Sequence, residues 1–335
     1  MDLKDIPTMF VSVARRLFTA PPMAKKANLN GKKIIVTGAG VGSIGYQTAK
    51  RLAAWGATVI ITTRSKPEVV AQAIEAELKT ESVSAKLDAF PLDLTNVESV
   101  AEFAAWYLKK HGDRLDVLVN NAGVHLDILS KWKEPQLTTD GVEVHWRTNY
   151  LGPMQLTHLL LPLLKKTGKM SGDARVVNVS SHLHTRGLNS ELFKRTRPYN
   201  SWDAYGNSKL ALVHSAFEIQ RRFANEFNLK GLVLHPGSIS TNIAHKGLEG
   251  SKFLQKMRDL FASVEALILM TPEQGAQTQI YCASSPDVRG GIYYDRCAPG
   301  VVSAQADDLN VATHLWQETE RWITSLSPKN VATVA

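Results

Sequence analysis

Thr37-Gly38-Ala39-Gly40-Val41-Gly42-Ser43-Ile44-Gly45 is the stretch on which the fold turns. It follows a short β-branched run, Lys33–Thr37, and leads into a helical pattern carrying Ala49, Leu52 and Ala53. Glycines between a strand and a helix let backbone N–H groups approach a pyrophosphate at the positive end of the helix. Gly40, Gly42 and Gly45 alone spell the generic G-x-G-x-x-G, which ordinary tight turns also produce. The strand before it and the helix after it supply the context the motif requires. Gly38, Gly40, Gly42, Ser43, Ile44 and Gly45 are therefore candidate cofactor contacts.

Outward from this turn, short apolar runs alternate with longer helical patterns, the mark of βαβ units. Candidate strands are Lys33–Thr37, Thr58–Thr62, Leu87–Leu92, Asp116–Asn120, Arg175–Val179, Gly231–His235 and Gly291–Tyr294; the clearest helices are Ile44–Trp55, Val97–Lys110, Gly141–Leu164 and Trp202–Phe227. The pattern predicts one α/β domain: a doubly wound, Rossmann-type, seven-stranded parallel sheet with helices on both faces. Its expected limits are residues 29–294, with an N-terminal extension (1–28) and a C-terminal extension (295–335). A loop at 182–203 and a lid at 242–271 are too long for ordinary connections, which places both beside a substrate.

An apolar share of 44% and a charged share of 21% suit a globular chain rather than a disordered or membrane-embedded one. No apolar run approaches the roughly 20 residues of a transmembrane helix. Cys282 and Cys297 form no disulfide framework, and His182 and His184 lack a third ligand, so no metal is expected. The formal charge of +8 is partly concentrated before Ile34, where seven Lys/Arg face two Asp. A solvated basic surface and attraction of a phosphate-bearing cofactor both account for it. No nucleic-acid motif accompanies the charge. Met9 to Phe18 has amphipathic helical spacing; docking on the domain, with a cytoplasmic location, is preferred over peripheral membrane contact or organellar targeting.

The end of the second strand reads Thr62-Thr63-Arg64-Ser65-Lys66, with no acid before Glu68. A carboxylate there would bind the ribose hydroxyls of NAD, whereas Arg64 and Lys66 suit the extra phosphate of NADP, which is the preferred cofactor. Tyr205-Gly206-Asn207-Ser208-Lys209 puts a phenol and an ammonium four residues apart on one helix face. Tyrosine titrates near 10, so ionising it at neutral pH takes a shift of about three units, roughly 4 kcal/mol, toward which a nearby cation works. Upstream, Arg175–Val179 ends in Ser180-Ser181, and Asn120-Asn121-Ala122-Gly123 ends another strand at the same edge. Pro236-Gly237 ends a third.

In this order and spacing the chain resembles the short-chain dehydrogenase/reductase family over about Lys32 to Tyr294. The resemblance rests on the glycine turn, Asp93, the Asn120–Gly123 tetrad, Asn149, the serine pair, Tyr205/Lys209 and Pro236-Gly237. It implies Asn149, Ser181, Tyr205 and Lys209 as the catalytic set. Tyr205 is then the acid in reduction and base in oxidation, Lys209 lowers its pKa and binds ribose, Ser181 holds the substrate oxygen, and Asn149 sustains a proton relay. It further implies cofactor contacts from Asp93, Asn120, Ala122, Gly123, Pro236, Gly237, Ile239 and Thr241, and use of the 4-pro-S hydride. Two departures stand out. The glycine turn is one residue longer than usual, and Ser181 precedes Tyr205 by 24 residues, a spacing similar to that of retinol dehydrogenase-like members. Ser181, His182, Tyr199, Trp202 and Tyr205 are candidate substrate contacts.

The implied function is an NADPH-dependent oxidoreductase acting on a fairly hydrophobic ketone, aldehyde or secondary alcohol. Rival readings are an epimerase or dehydratase with transient oxidation, and a nucleotide-sensing scaffold that has lost catalysis; the complete Asn149, Ser181, Tyr205, Lys209 set argues against the second. A homodimer through Gly141–Leu164 stays open.

Overall fold

The computed structural model describes residues 22–237 and 270–326. The expected helix at Met9–Phe18, the contacts Ile239 and Thr241, and nearly all of the lid fall outside them.

Eight strands form one sheet: β1 (Lys33–Thr37), β2 (Thr58–Thr63), β3 (Lys86–Pro91), β4 (Val117–Asn120), β5 (Ala174–Val179), β6 (Leu229–His235), β7 (Ile292–Asp295) and β8 (Ala298–Pro299). Their order is β3-β2-β1-β4-β5-β6-β7-β8. The first seven are parallel, and β8 adds a two-residue antiparallel edge beyond the expected seven. The central strands β1, β4 and β5 are buried on both faces, which favours continuous apolar runs. In β1, Ile35 joins one core, while Ile34 and Val36 join the other. That alternation follows the two-residue period of a strand.

Helices cover each face. α1 (Ile44–Ala54), α2 (Pro67–Thr80) and α6 (Pro272–Ser284) bury one core; α3 (Val97–His111), α4 (Gly152–Ser171), α5 (Ser201–Phe227) and α7 (Leu309–Ser325) bury the other. Most start where a local residue supplies the lost backbone partner, α2 and α4 carrying no side-chain cap. Ser43 caps α1, Asn96 caps α3, Asn200 caps α5, and Thr271 with Gln274 forms a capping box on α6.

The expected helix Gly141–Leu164 is neither continuous nor that short. A turn at Val144–Trp146 passes into a π-helical segment, Arg147–Leu151, before α4 runs to Ser171. Gly141, at φ +76°, holds the preceding turn and keeps the helix from starting there. The chain after Asp295 is also more than a tail. α7 lays Trp316, 2% exposed, into the α5 core, and Thr319 Oγ1 bonds the Tyr150 hydroxyl at 2.6 Å.

β1 and β4 are neighbours although β2 and β3 lie to one side and β5 to β8 to the other. Their carboxyl ends therefore form the switch point at which doubly wound sheets bind ligands.

Candidate active site

At that switch point a cleft of about 340 Å³ opens between the glycine turn, the end of β2 and the loop after β4. The glycine turn is tied to β4 through Thr37 and Asn121. Thr37 Oγ1 accepts from the N–H groups of Asn121 and Ala122, each at 3.0 Å, and Asn121 Nδ2 donates to the Thr37 carbonyl at 2.7 Å. A methyl group on Gly45 would lie 2.5 Å from Asn121 Nδ2, so only glycine lets helix α1 start this close to β4. The longer turn is taken up by residues 40–43, closed by the Ser43 N–H on the Gly40 carbonyl at 3.0 Å.

Gly38, Gly40, Ser43, Ile44, Arg64, Asp93, Ala122 and Gly123 all line this cleft. A side chain on Gly40 would meet nothing within 4 Å, leaving open space in front of the α1 N-terminus. Asn121 Oδ1 and Thr148 Oγ1 are buried at the cleft without hydrogen-bond partners. Free amides, unpartnered polar atoms and an exposed guanidinium suit a dinucleotide with its phosphates on α1. Arg64 has no carboxylate partner among the described residues.

Several expected cofactor contacts, Gly45 and Pro236 among them, do not line this cleft. Gly42 (φ +76°) shapes the turn without lining the cleft. Lys66 is exposed ahead of α2. Gly237 stands against Met270 beyond the β6 end. Asn120 turns into the protein, donating to Asn178 Oδ1 at 2.9 Å and Thr157 Oγ1 at 3.1 Å, so its side chain ties β4 to β5 and α4. Asn121, the next residue, does the work at the cleft.

The catalytic candidates meet at the carboxyl ends of β4 and β5. Tyr205 and Lys209 share a face of α5, and Lys209 Nζ lies 5.5 Å from the Tyr205 ring centre. The lysine donates to the Val179 carbonyl at 2.9 Å. The Ser181 hydroxyl lies beside the Tyr205 phenol and favours its ionised form. Ser180, by contrast, is spent on the Lys209 carbonyl at 2.9 Å. Asn149, inside the π-helical segment, accepts from the Val124 N–H at 2.7 Å and donates to the Val124 carbonyl and Ser208 Oγ at 2.9 and 3.0 Å. Gly123 runs between Asn149 and Lys209: an added Cβ would sit 3.2 Å from Asn149 Oδ1 and 3.1 Å from Lys209 Nζ.

Burial pushes the Tyr205 phenol up to about 12, with the Ser181 hydrogen bond working the other way. Burial also takes Lys209 down to about 8. Desolvation of two groups sequestered together is the main cause of both displacements.

The loop before Tyr205 divides. Its ends, His182 and Trp202, flank the catalytic side; His182 is exposed, and Trp202 Nε1 donates to the Ile128 carbonyl at 3.0 Å. Its middle lines a separate cavity of about 330 Å³ with Asp203, Ala204 and Asn207. On a helix those three positions face away from Tyr205. Tyr199 belongs to this second cavity, its hydroxyl on Glu143 Oε1 at 3.0 Å, and is not brought together with Tyr205. His125, next to the Asn120–Gly123 tetrad, stacks on Tyr205 with ring centres 4.2 Å apart.

The family model described as short chain dehydrogenase matches residues 32–251. The chain belongs to the short-chain dehydrogenase/reductase family. Human retinol dehydrogenase 13 is 35% identical over 304 residues, covering 89% of this chain and 86% of its own length. Dehydrogenase/reductase SDR family member 13 from Bos taurus is 34% identical, covering 95% of this chain and 80% of its own. Among solved structures, an uncharacterized protein from Mycobacterium paratuberculosis superposes with a TM-score of 0.64 at 30% identity, over 90% of this chain and 96% of its own. This short-chain dehydrogenase/reductase is accordingly an alcohol or carbonyl oxidoreductase of a nicotinamide-dependent family. Among the described residues no helix is long and apolar enough to cross a membrane.

Proposed function

We propose that the protein reduces the carbonyl of a fairly hydrophobic small molecule, a ketone or aldehyde, with NADPH as the preferred cofactor, and runs the reverse oxidation of the alcohol. The observation that carries the reading is the convergence of Ser181, Tyr205 and Lys209 beside a dinucleotide-shaped cleft with Arg64 at its rim.

When bound, the nicotinamide supplies a hydride to the carbonyl carbon. Everything else falls to the chain. Ser181 and Tyr205 hold the carbonyl oxygen between two hydroxyls, and Tyr205 gives its proton to that oxygen as negative charge develops there. A phenol pushed up to about 12 is fully protonated at neutral pH and still acidic enough to protonate an alkoxide. Lys209 lies beside the phenolate that remains and stabilises it until a proton returns. Asn149 fixes the Val124 backbone and thereby the floor under Lys209. Arg64, with no carboxylate partner among the described residues, gives the 2′-phosphate of NADPH a guanidinium, and Asp93 and the α1 N-terminus take the adenosine and pyrophosphate.

The relatives named for retinol direct the first substrate panel toward long apolar aldehydes, including retinal, beside cyclic ketones and short aldehydes. Turnover is followed at the NADPH absorbance band with NADPH and NADH compared. Equal use of both cofactors rejects the assignment to Arg64. In Arg64→Ala, a lost charged hydrogen bond of about 1.5–3 kcal/mol predicts NADPH binding weakened by roughly 10- to 150-fold with NADH binding unchanged.

A further inference from the structure

His125 is the wall of the catalytic side that none of the foregoing roles explains. Its imidazole lies parallel to the Tyr205 phenol, ring centres 4.2 Å apart and planes within 16°. Trp202 meets the same imidazole edge-on at 4.6 Å and 87°. The backbone on both sides of His125 is pinned. Val124 is held through its N–H and its carbonyl by Asn149, and the Leu126 N–H donates to His145 Nε2 at 2.9 Å. His145 in turn has Nδ1 on Glu143 at 2.7 Å, so its ring cannot turn. The segment beyond is stitched to the start of α5, where Ser201 Oγ donates to the Asp127 carbonyl at 2.7 Å and Trp202 Nε1 to Ile128.

His125 is thus an aromatic plate fixed at three points and laid against the one side chain that must keep a defined tilt. It is 6% exposed and its Nε2 has no partner among the described residues, a cost that a purely apolar ring would avoid. A buried nitrogen with no partner does not hold a residue in place. The two ring contacts do.

We propose that His125 is a positioning residue for Tyr205, its ring fixing the plane of the phenol so that the hydroxyl stays on Ser181 and in line with the carbonyl oxygen. The proposal rests on the reading of Tyr205 as proton donor. Burial, with His145 and Lys209 adding to it against Asp127, pushes the His125 imidazole down to about 4, so the plate carries no charge at working pH.

The test compares His125→Ala, which removes the plate, with His125→Phe, which keeps a flat ring and discards both nitrogens. NADPH is used with the fastest carbonyl of the panel, and Tyr205 ring resonances are assigned in tyrosine-labelled protein by their loss in Tyr205→Phe. Misplacing a reacting group by about 1 Å costs on the order of 100-fold. His125→Ala should therefore lower kcat by roughly 10- to 100-fold, leave the KM of the carbonyl and the Kd of NADPH in place, and shift the Tyr205 resonances as the ring current is lost. His125→Phe should restore most of kcat and keep a stacked Tyr205. An unchanged kcat in His125→Ala, a rise in KM alone, or a His125→Phe protein with wild-type melting but the low kcat of the alanine variant each overturns the proposal. Should His125→Ala not fold, His125→Phe decides by the same two readouts. Turnover surviving in Tyr205→Phe refutes the proton-donor reading instead, and the resonance shifts still decide the stack.

Discussion

Tyr205 and Lys209 start from opposite displacements, the phenol near 12 and the ammonium near 8. At neutral pH the pair therefore holds a proton on each group. kcat/KM for reduction should fall as pH rises through about 8, where Lys209 loses its charge. A pH profile checks this, and Lys209→Arg should carry the falling limb to higher pH because a guanidinium keeps its proton. Tyr205→Phe should abolish turnover and leave NADPH binding in place, read by turnover and by fluorescence titration on the same sample. These two residues were legible in the sequence because a spacing of four on a helix already fixes a shared face. Asn120 was not. Its neighbour Asn121 carries the same side chain, and only the pleat of β4 decides which of the two points to the cleft and which to β5. The stacking of His125 on Tyr205 was not legible for a different reason: the two lie 80 residues apart and no spacing rule connects a loop histidine to a helix phenol.

The helices and strands whose apolar pattern is buried on a single principle were readable to within a residue or two. β1 and α1 match their expected starts, because a β-branched run and a glycine turn between strand and helix have few other uses. The π-helical segment holding Asn149 was not readable, since Arg147 to Leu151 carries no breaker to mark it. α7 was underrated because its role depends on where it docks. Trp316→Ala should cost about 3–5 kcal/mol, in the range for a buried large aromatic, and lower the melting temperature by calorimetry. A change within experimental error would mean that α7 is an appendage after all. Thr271→Ala removes half of a capping box and should cost about 1 kcal/mol, with the effect confined to exchange protection in α6.

Across the molecule, burial holds several histidines below their ordinary value of 6.5: His125 and His214 at about 4 and His235 at about 3. As pH falls through 6.5 the unfolded chain takes up these protons while the native state does not, so stability drops between about pH 6.5 and 4. Each histidine contributes up to about 1.4 kcal/mol per pH unit in that window. The urea midpoint should be lower at pH 5 than at pH 7.5, and His125→Phe should flatten the difference. A midpoint that rises on acidification contradicts the burial of these rings.

The loop ahead of Tyr205 is anchored by residues made more than a hundred positions after it. Asn189 bonds Gln305 through both its N–H and its side-chain amide, and His184 Nε2 accepts from the Ser303 N–H. Strands β1 to β4 and the residues that line the nucleotide cleft are all made by residue 148, whereas these bonds to the loop wait for residues 303 and 305. During synthesis the protein therefore has a place for its cofactor well before the wall beside its catalytic tyrosine is secured.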